Sequence, residues 1–155
     1  MKTAIVPIMM HPTTELTGVD SVLKIGILGV GELTEKVVIG LRRSGFCGRV
    51  LLSPRNHERA QQLAEQWDCE VMAANQQVVD GADLLVLGVR PEVVDQLSNE
   101  VQLRPEQTLV SLVAGLKLAE LQRRFPKACV VRAMLSYAAQ INQTTVVITP
   151  GGEPH

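Results

Sequence analysis

Two nearly continuous apolar runs, LLVLGV at 84–89 and TLVSLV at 108–113, constrain the fold most. A strand with one wet face alternates apolar and polar residues, whereas an unbroken run needs cover on both faces. Shorter apolar stretches recur along the chain and predict strands at 23–28, 49–53, 70–72, 83–88, 108–112, 128–133 and 144–149. Helical patterns lie between them. In NHERAQQLAEQW, Ala60, Leu63, Ala64 and Trp67 fall at i, i+3, i+4 and i+7, and Asn56 stands where a helix cap is wanted. In PEVVDQLSNEV, Pro91 suits the first helical position, and Val93, Val94, Leu97 and Val101 form one face. After Gly31, Leu33, Val37 and Leu41 lie four apart, and Gly45 marks the end. LKLAELQRRF predicts a further helix, stopped by Pro126. Strand, helix, strand, repeated, means parallel pairing through right-handed crossovers. The expected fold is a single α/β domain over 23–150, a Rossmann-type doubly wound, mostly parallel sheet with helices on both faces. Residues 1–22, with Pro7, Pro12 and Gly18, read as a loose extension, and 151–155 as a tail.

Composition narrows the function. The 155 residues suit one domain with a substantial core. With aromatics at only 3%, that core must be built from Val, Leu, Ile and Ala. The formal net charge of -1 gives no basic bias toward nucleic acid or a membrane surface. No apolar run approaches the roughly 20 residues that span a bilayer, and MKTAIVPIMM reads as an extension rather than a signal peptide. Cys47, Cys69 and Cys129 form no CxxC pair, as expected of reduced thiols in a cytoplasmic protein. His11, His57 and His155 are scattered, so no metal site is expected.

The chemistry concentrates at GVGELT, Gly29 to Thr34. Gly29 permits a tight turn, and Gly31 permits close approach of backbone to a pyrophosphate. The amides opening the next helix, with its dipole, favour an anion there. Thr34 replaces the usual third Gly or Ala and is bulky enough to push the helix off the strand. Glu32 puts a carboxylate where an anion should sit; its expected role is to complement the helix dipole, with its side chain swung out to water. About 20 residues on, an NAD site wants an acid for the ribose hydroxyl. Here stand Ser53 and Arg55, a hydroxyl and a guanidinium that suit a 2′-phosphate. The expected cofactor is therefore NADP (NADPH) rather than NAD.

The order GILGVGELTE, LLSPRN, ANQQVVDGADLLVLGVRPE, LVSLVAGLKLAEL and VVRAM resembles the N-terminal NADP-binding domain of pyrroline-5-carboxylate reductase, over about residues 23–150. The resemblance implies roles. Leu28, Gly29, Val30, Gly31, Glu32 and Leu33 would wrap the pyrophosphate. Ser53, Arg55 and Asn75 would hold the adenosine ribose and its phosphate. Val89, Arg90 and Pro91 match a Val-Lys-Pro turn beside the cofactor, and Ala114 and Gly115 an Ala-Gly pair near the nicotinamide. It also implies hydride transfer to a cyclic imine and a place in proline biosynthesis.

Three departures stand out. Glu32 replaces Gln or Asn, Arg90 replaces Lys, and RAMLSYAA replaces Arg-Ala-Met-Pro-Asn-Thr-Pro. In that last loop Ser136 and Tyr137 are the substrate-side candidates. The family's second, helical domain forms its dimer and completes its pocket. The present residues end soon after TPGG, so oligomeric state is left open, and these residues alone are expected to turn over little substrate. Two other readings are carried: a non-catalytic NADP-binding or interaction module, and a deazaflavin-dependent NADP reductase. A methyltransferase would want an acid near Ser53.

Overall fold

The computed structural model describes residues 4–7 and 22–151. All seven predicted strands form, each within two residues of its expected bounds. They are β2 (Ile25–Leu28), β3 (Val50–Leu52), β4 (Glu70–Val71), β5 (Leu84–Leu87), β6 (Thr108–Ser111), β7 (Cys129–Met134) and β8 (Thr145–Pro150). An eighth, β1 (Ala4–Pro7), lies in the stretch expected to be a loose extension. That expectation is corrected for these four residues, which pair antiparallel with β8 from Ala4↔Ile148 to Pro7↔Thr145. The remainder of 1–21 and the predicted tail at 152–155 lie outside the described residues.

The sheet runs β1-β8-β7-β6-β5-β2-β3-β4. Pairing is parallel from β4 through to β7, and antiparallel at β8 and β1. From β2 the chain first steps outward to β3 and β4. It then returns to β5 on the other side of β2 and steps away through β6 and β7. The β2–β5 boundary is thus the topological switch point, where the crevice of an open α/β sheet lies.

Among the described residues five helices cover the two faces: α1 (Glu32–Arg43), α2 (His57–Trp67), α3 (Asn75–Gly81), α4 (Val94–Glu100) and α5 (Leu118–Arg124). Successive strand residues point to opposite faces, and the core divides accordingly. Ile25, Ile27, Val50, Leu52 and Val86 pack with Val38 and Ile39 of α1 and Ala60 and Leu63 of α2. Leu28, Leu51, Leu85 and Leu87 pack with Val78 and Val79 of α3, Val94 and Leu97 of α4, and Leu121 of α5. Nearly all of this core is aliphatic, as the scarcity of aromatics requires.

The expected stripe on α1 is shifted. Its buried residues are Thr34, Val38, Ile39 and Gly40, while Leu33, Val37 and Leu41 are only half-buried. Val38 and Ile39 pack on the sheet, while Gly40 is covered by a 3-10 turn at Tyr137–Ile141 that is absent from the sequence expectations. The two come so close that a Cβ on Gly40 would sit 2.1 Å from the Ala139 carbonyl oxygen. Arg43 Nη1 donates to Gln140 O at 3.1 Å across the same seam. At the end of α1, Arg42 donates to the carbonyls of Phe46, Gly48, Trp67 and Asp68, fastening α1 to the end of α2.

Among the described residues no helix is long and apolar enough to cross a membrane. His11 and His155 lie outside them; the described residues hold no cluster of three potential metal ligands.

Candidate functional site

β2 ends at Leu28, and Gly29 turns the chain with φ +92°. Any Cβ there would lie 2.6 Å from Val89 Cγ1, so both conformation and packing demand glycine. The turn is pinned from beneath. Gly29 N–H donates to Ser53 Oγ at 2.8 Å, and Ser53 is buried. Gly31 N–H donates to Thr34 Oγ1 at 2.9 Å, and that hydroxyl donates on to Gly29 O at 2.9 Å. From the neighbouring loop, Asn56 Nδ2 donates to Val30 O at 3.0 Å. Asn56 does precede α2, but its side chain makes this bridge instead of the expected cap. Each such bond between partly buried groups contributes about 1 kcal/mol.

Thr34 does not push α1 away as expected. A Cβ on Gly88, just past β5, would fall 2.1 Å from Thr34 Cγ2. The bulk added at the third fingerprint position is accommodated by glycine on the opposite wall, and Thr34 is 1% exposed. Gly88 N–H also donates to Leu28 O at 2.9 Å, so the two loops that flank the switch point are joined directly.

Gly31 differs from Gly29. Its φ of -104° is open to any residue. A Cβ there would meet nothing nearer than Gly88 O at 3.9 Å. Nothing among the described residues requires glycine at this position. A side chain would instead project into the open space before α1. The first intrahelical bond is Glu35 N–H to Gly31 O at 3.0 Å, so the amides of Glu32, Leu33 and Thr34 have no acceptor within the helix. A 12-residue helix aimed at this space adds its dipole. A pyrophosphate fits: bare backbone for close approach, orphan donors and positive potential.

Glu32 is exposed, as expected, yet its carboxylate has a partner. Its Oε2 accepts a hydrogen bond from Tyr137 Oη at 2.8 Å, across 105 positions of sequence. The solvent-facing carboxylate expected at Glu32 is present, and Tyr137 is the partner that the sequence did not announce. The bond to Glu32, with that carboxylate's charge, raises the Tyr137 phenol above its ordinary pKa. Ser136 is the cap of the 3-10 turn: its Oγ accepts from Ala138 N–H at 3.3 Å, and its own N–H donates to Thr144 Oγ1 at 3.0 Å. Of the two substrate-side candidates, Ser136 thus supports the turn and Tyr137 reaches the tip of α1.

The remaining candidates separate. Arg55 is exposed and has no ion-pair partner among the described residues. Ser53, expected beside it on a ribose phosphate, is buried beneath the glycine turn. Asn75 opens α3, is 8% exposed, and donates its amide to Glu100 Oε1 at 2.9 Å, which leaves little of it for a nucleotide. Val89 packs on Gly29. Arg90 is exposed, and Pro91 opens a 3-10 turn (Pro91–Val93) ahead of α4. Ala114 and Gly115 form an exposed turn beyond β6, with Gly115 at φ +79°. These loops follow the carboxyl ends of β2, β3, β5 and β6. Sequence reasoning missed Asn56 as a bridge and Gly88 as the counterpart of Thr34. The N of LLSPRN and the G of LLVLGV were visible, but not their partners.

Known proteins agree with this architecture. Residues 24–115 match the family model described as NADP oxidoreductase coenzyme F420-dependent. A pyrroline-5-carboxylate reductase from Arabidopsis thaliana is 26% identical over 132 residues, 83% of this chain and 48% of that protein. The crystal structure of 1-pyrroline-5-carboxylate reductase from Streptococcus pyogenes superposes with a TM-score of 0.74 at 27% identity, covering 84% of this chain and 49% of its own. The Plasmodium falciparum pyrroline carboxylate reductase, solved with NADP bound, gives 0.72 at 14% identity over 86% of this chain and 50% of its own, a likeness of fold. The chain spans about half the length of the relatives it matches. It belongs to the NADP oxidoreductase family that this model describes, and within it resembles the NADP-binding domain of the pyrroline-5-carboxylate reductases.

Proposed function

We propose that the crevice at the β2–β5 switch point binds NADP(H), and that the chain serves as the cofactor-binding part of a reductase acting on a cyclic imine such as 1-pyrroline-5-carboxylate. The observation that carries the reading is Gly31, a glycine the fold does not need, facing open space before unpaired helix amides. Those amides would hold the pyrophosphate. Arg55, exposed and without an ion-pair partner among the described residues, would hold the 2′-phosphate. Ser53 would act from below, by fixing the Gly29 amide. The bound cofactor supplies the hydride. Val89, Ala114 and Gly115, at the ends of β5 and β6, would border the cofactor, and the imine would lie beyond them toward Tyr137. The likeness to pyrroline-5-carboxylate reductases supports the substrate class.

The test is a titration of the chain with NADPH and with NADH. NADPH should bind about tenfold tighter or more, and Arg55→Ala should remove that preference while leaving NADH affinity unchanged. Equal affinities, unmoved by Arg55→Ala, would sink the NADP assignment. Turnover of 1-pyrroline-5-carboxylate should be slight with these 155 residues and normal with the longest natural chain; an inactive long chain would favour a binding module. A second reading, hydride exchange between NADP and a deazaflavin, is favoured by the family description. An assay pairing NADP with the reduced deazaflavin separates it from imine reduction.

A further inference from the structure

We propose that Tyr137 is a positioning residue for the cofactor, whose hydroxyl holds the Glu32 carboxylate toward the Tyr137–Ile141 turn and so away from the phosphate seat at the tip of α1. This rests on the NADP reading and adds to it a specific solution for the carboxylate that opens α1.

Glu32 is the first residue of α1, directly after the Gly31 cap. Its carboxylate carries the same sign as the phosphates that the helix amides attract, and the same amides would accept either anion. An exposed glutamate has three rotatable bonds and no intrinsic reason to keep clear. The Tyr137 hydroxyl supplies one, a 2.8 Å hydrogen bond to Oε2. A hydrogen bond to a charged acceptor is stronger than a neutral one. The raised phenol pKa keeps the tyrosine a donor throughout the neutral range.

The ring is carried on a braced segment. Ser136 caps the turn and Thr144 backs Ser136. Gly40 lets Ala139 lie directly on α1, and Arg43 clamps Gln140. The other charges around α1's first turns are already engaged: Glu35 pairs with Arg59 at 3.0 Å and with Lys36 at 3.4 Å. Arg59 lies near enough to oppose, electrostatically, the rise in the phenol pKa. Glu32 and Tyr137 therefore form a pair of their own at the tip of α1.

A double-mutant cycle on NADPH affinity tests this, with Tyr137→Phe, Glu32→Gln and the double variant titrated at one ionic strength. Tyr137→Phe, which keeps the ring, should weaken NADPH binding about fivefold. Glu32→Gln should bind at least as tightly as the parent. In the Glu32→Gln background, Tyr137→Phe should change affinity less than about twofold, since no carboxylate remains to be held aside. Equal losses in both backgrounds would overturn the proposal, because the tyrosine would then act on the cofactor itself. No loss in either would also overturn it. If Tyr137→Phe fails to fold, Glu32→Gln decides alone: weaker binding than the parent overturns the idea, and equal or tighter binding supports it. Failure of the parent and every variant to bind NADPH would remove the cofactor reading and this proposal together, whereas a binding parent with additive substitutions removes this proposal only.

Discussion

The loop after β2 and the loop after β7 both leave the carboxyl edge of the sheet, yet they are built differently. The first is held by buried groups. Ser53 and Thr34, each 1% exposed, bond its backbone, and Gly88 closes on it from the next strand. The second displays apolar side chains to solvent: Tyr137 and Ile141, with Met134 at the end of β7 before them, are each more than half exposed. Its links to α1 are made by backbone carbonyls and exposed side chains. A turn fixed before any ligand arrives suits a cofactor whose phosphates demand fixed donors. An open, apolar loop does not enclose a small reactant. The two sides of the crevice are therefore held differently. The side at β2 is braced by buried groups, and the side at β7 is open.

The largest expected effect tests whether the first loop is as rigid as described. Gly29→Ala must adopt positive φ and meet Val89, which should cost about 3 kcal/mol in urea unfolding. Gly31→Ala, two residues away, should leave stability within about 0.5 kcal/mol, while NADPH affinity falls about tenfold or more as the methyl enters the pyrophosphate's approach. Equal behaviour of the two glycines would break the distinction between a fold-bearing and a ligand-facing position. Next in size, Ser53→Ala should cost about 1.5 kcal/mol by leaving the Gly29 amide without its buried acceptor. A variant as stable as the parent would show that the turn holds without its strut.

The smallest effect concerns the second loop. Tyr137 is the only tyrosine, so phenolate absorbance reports it alone. Its midpoint should lie above the ordinary value of 10.0, and Glu32→Gln should bring it back down. The folded-state pKa is raised, so the stabilising contribution is complete below the unfolded value and is lost as pH climbs through the folded one. Unfolding measurements at neutral pH should therefore not sense this titration, and only alkaline ones should. A midpoint indifferent to Glu32→Gln would mean that the two side chains are not paired in solution.

Residue patterns predicted the strands because a sheet covered on both faces leaves runs such as LLVLGV that nothing else explains. The two prominent helical stripes of α2 and α4 were legible for a similar reason. Three elements were not. α3, NQQVVDG, has only two adjacent buried valines and no capping side chain before it, so it shows no period. β1 lies within an aperiodic stretch and depends on a partner more than a hundred residues away. The Tyr137–Ile141 turn has a local cap in Ser136, but its seat on α1 depends on the room left by Gly40, nearly a hundred residues away. The site shows the same division. GVGELT declared its position, and Arg55 its charge. Ser53, expected on a ribose, instead faces the turn, where it accepts from the Gly29 amide. The Glu32–Tyr137 bond joins residues 105 apart and leaves no local trace.

The meeting of Thr34 with Gly88 has a mechanical consequence. A methyl group seated against a residue without a side chain, with a backbone hydrogen bond alongside at Leu28, sets a minimum width for the gap between the first and fourth parallel strands' loops. That gap can neither narrow without overlap of atoms nor widen without breaking the bond. Thermal motion of the two walls should consequently be shared, so that whatever enters must match an aperture of set size rather than mould one to itself.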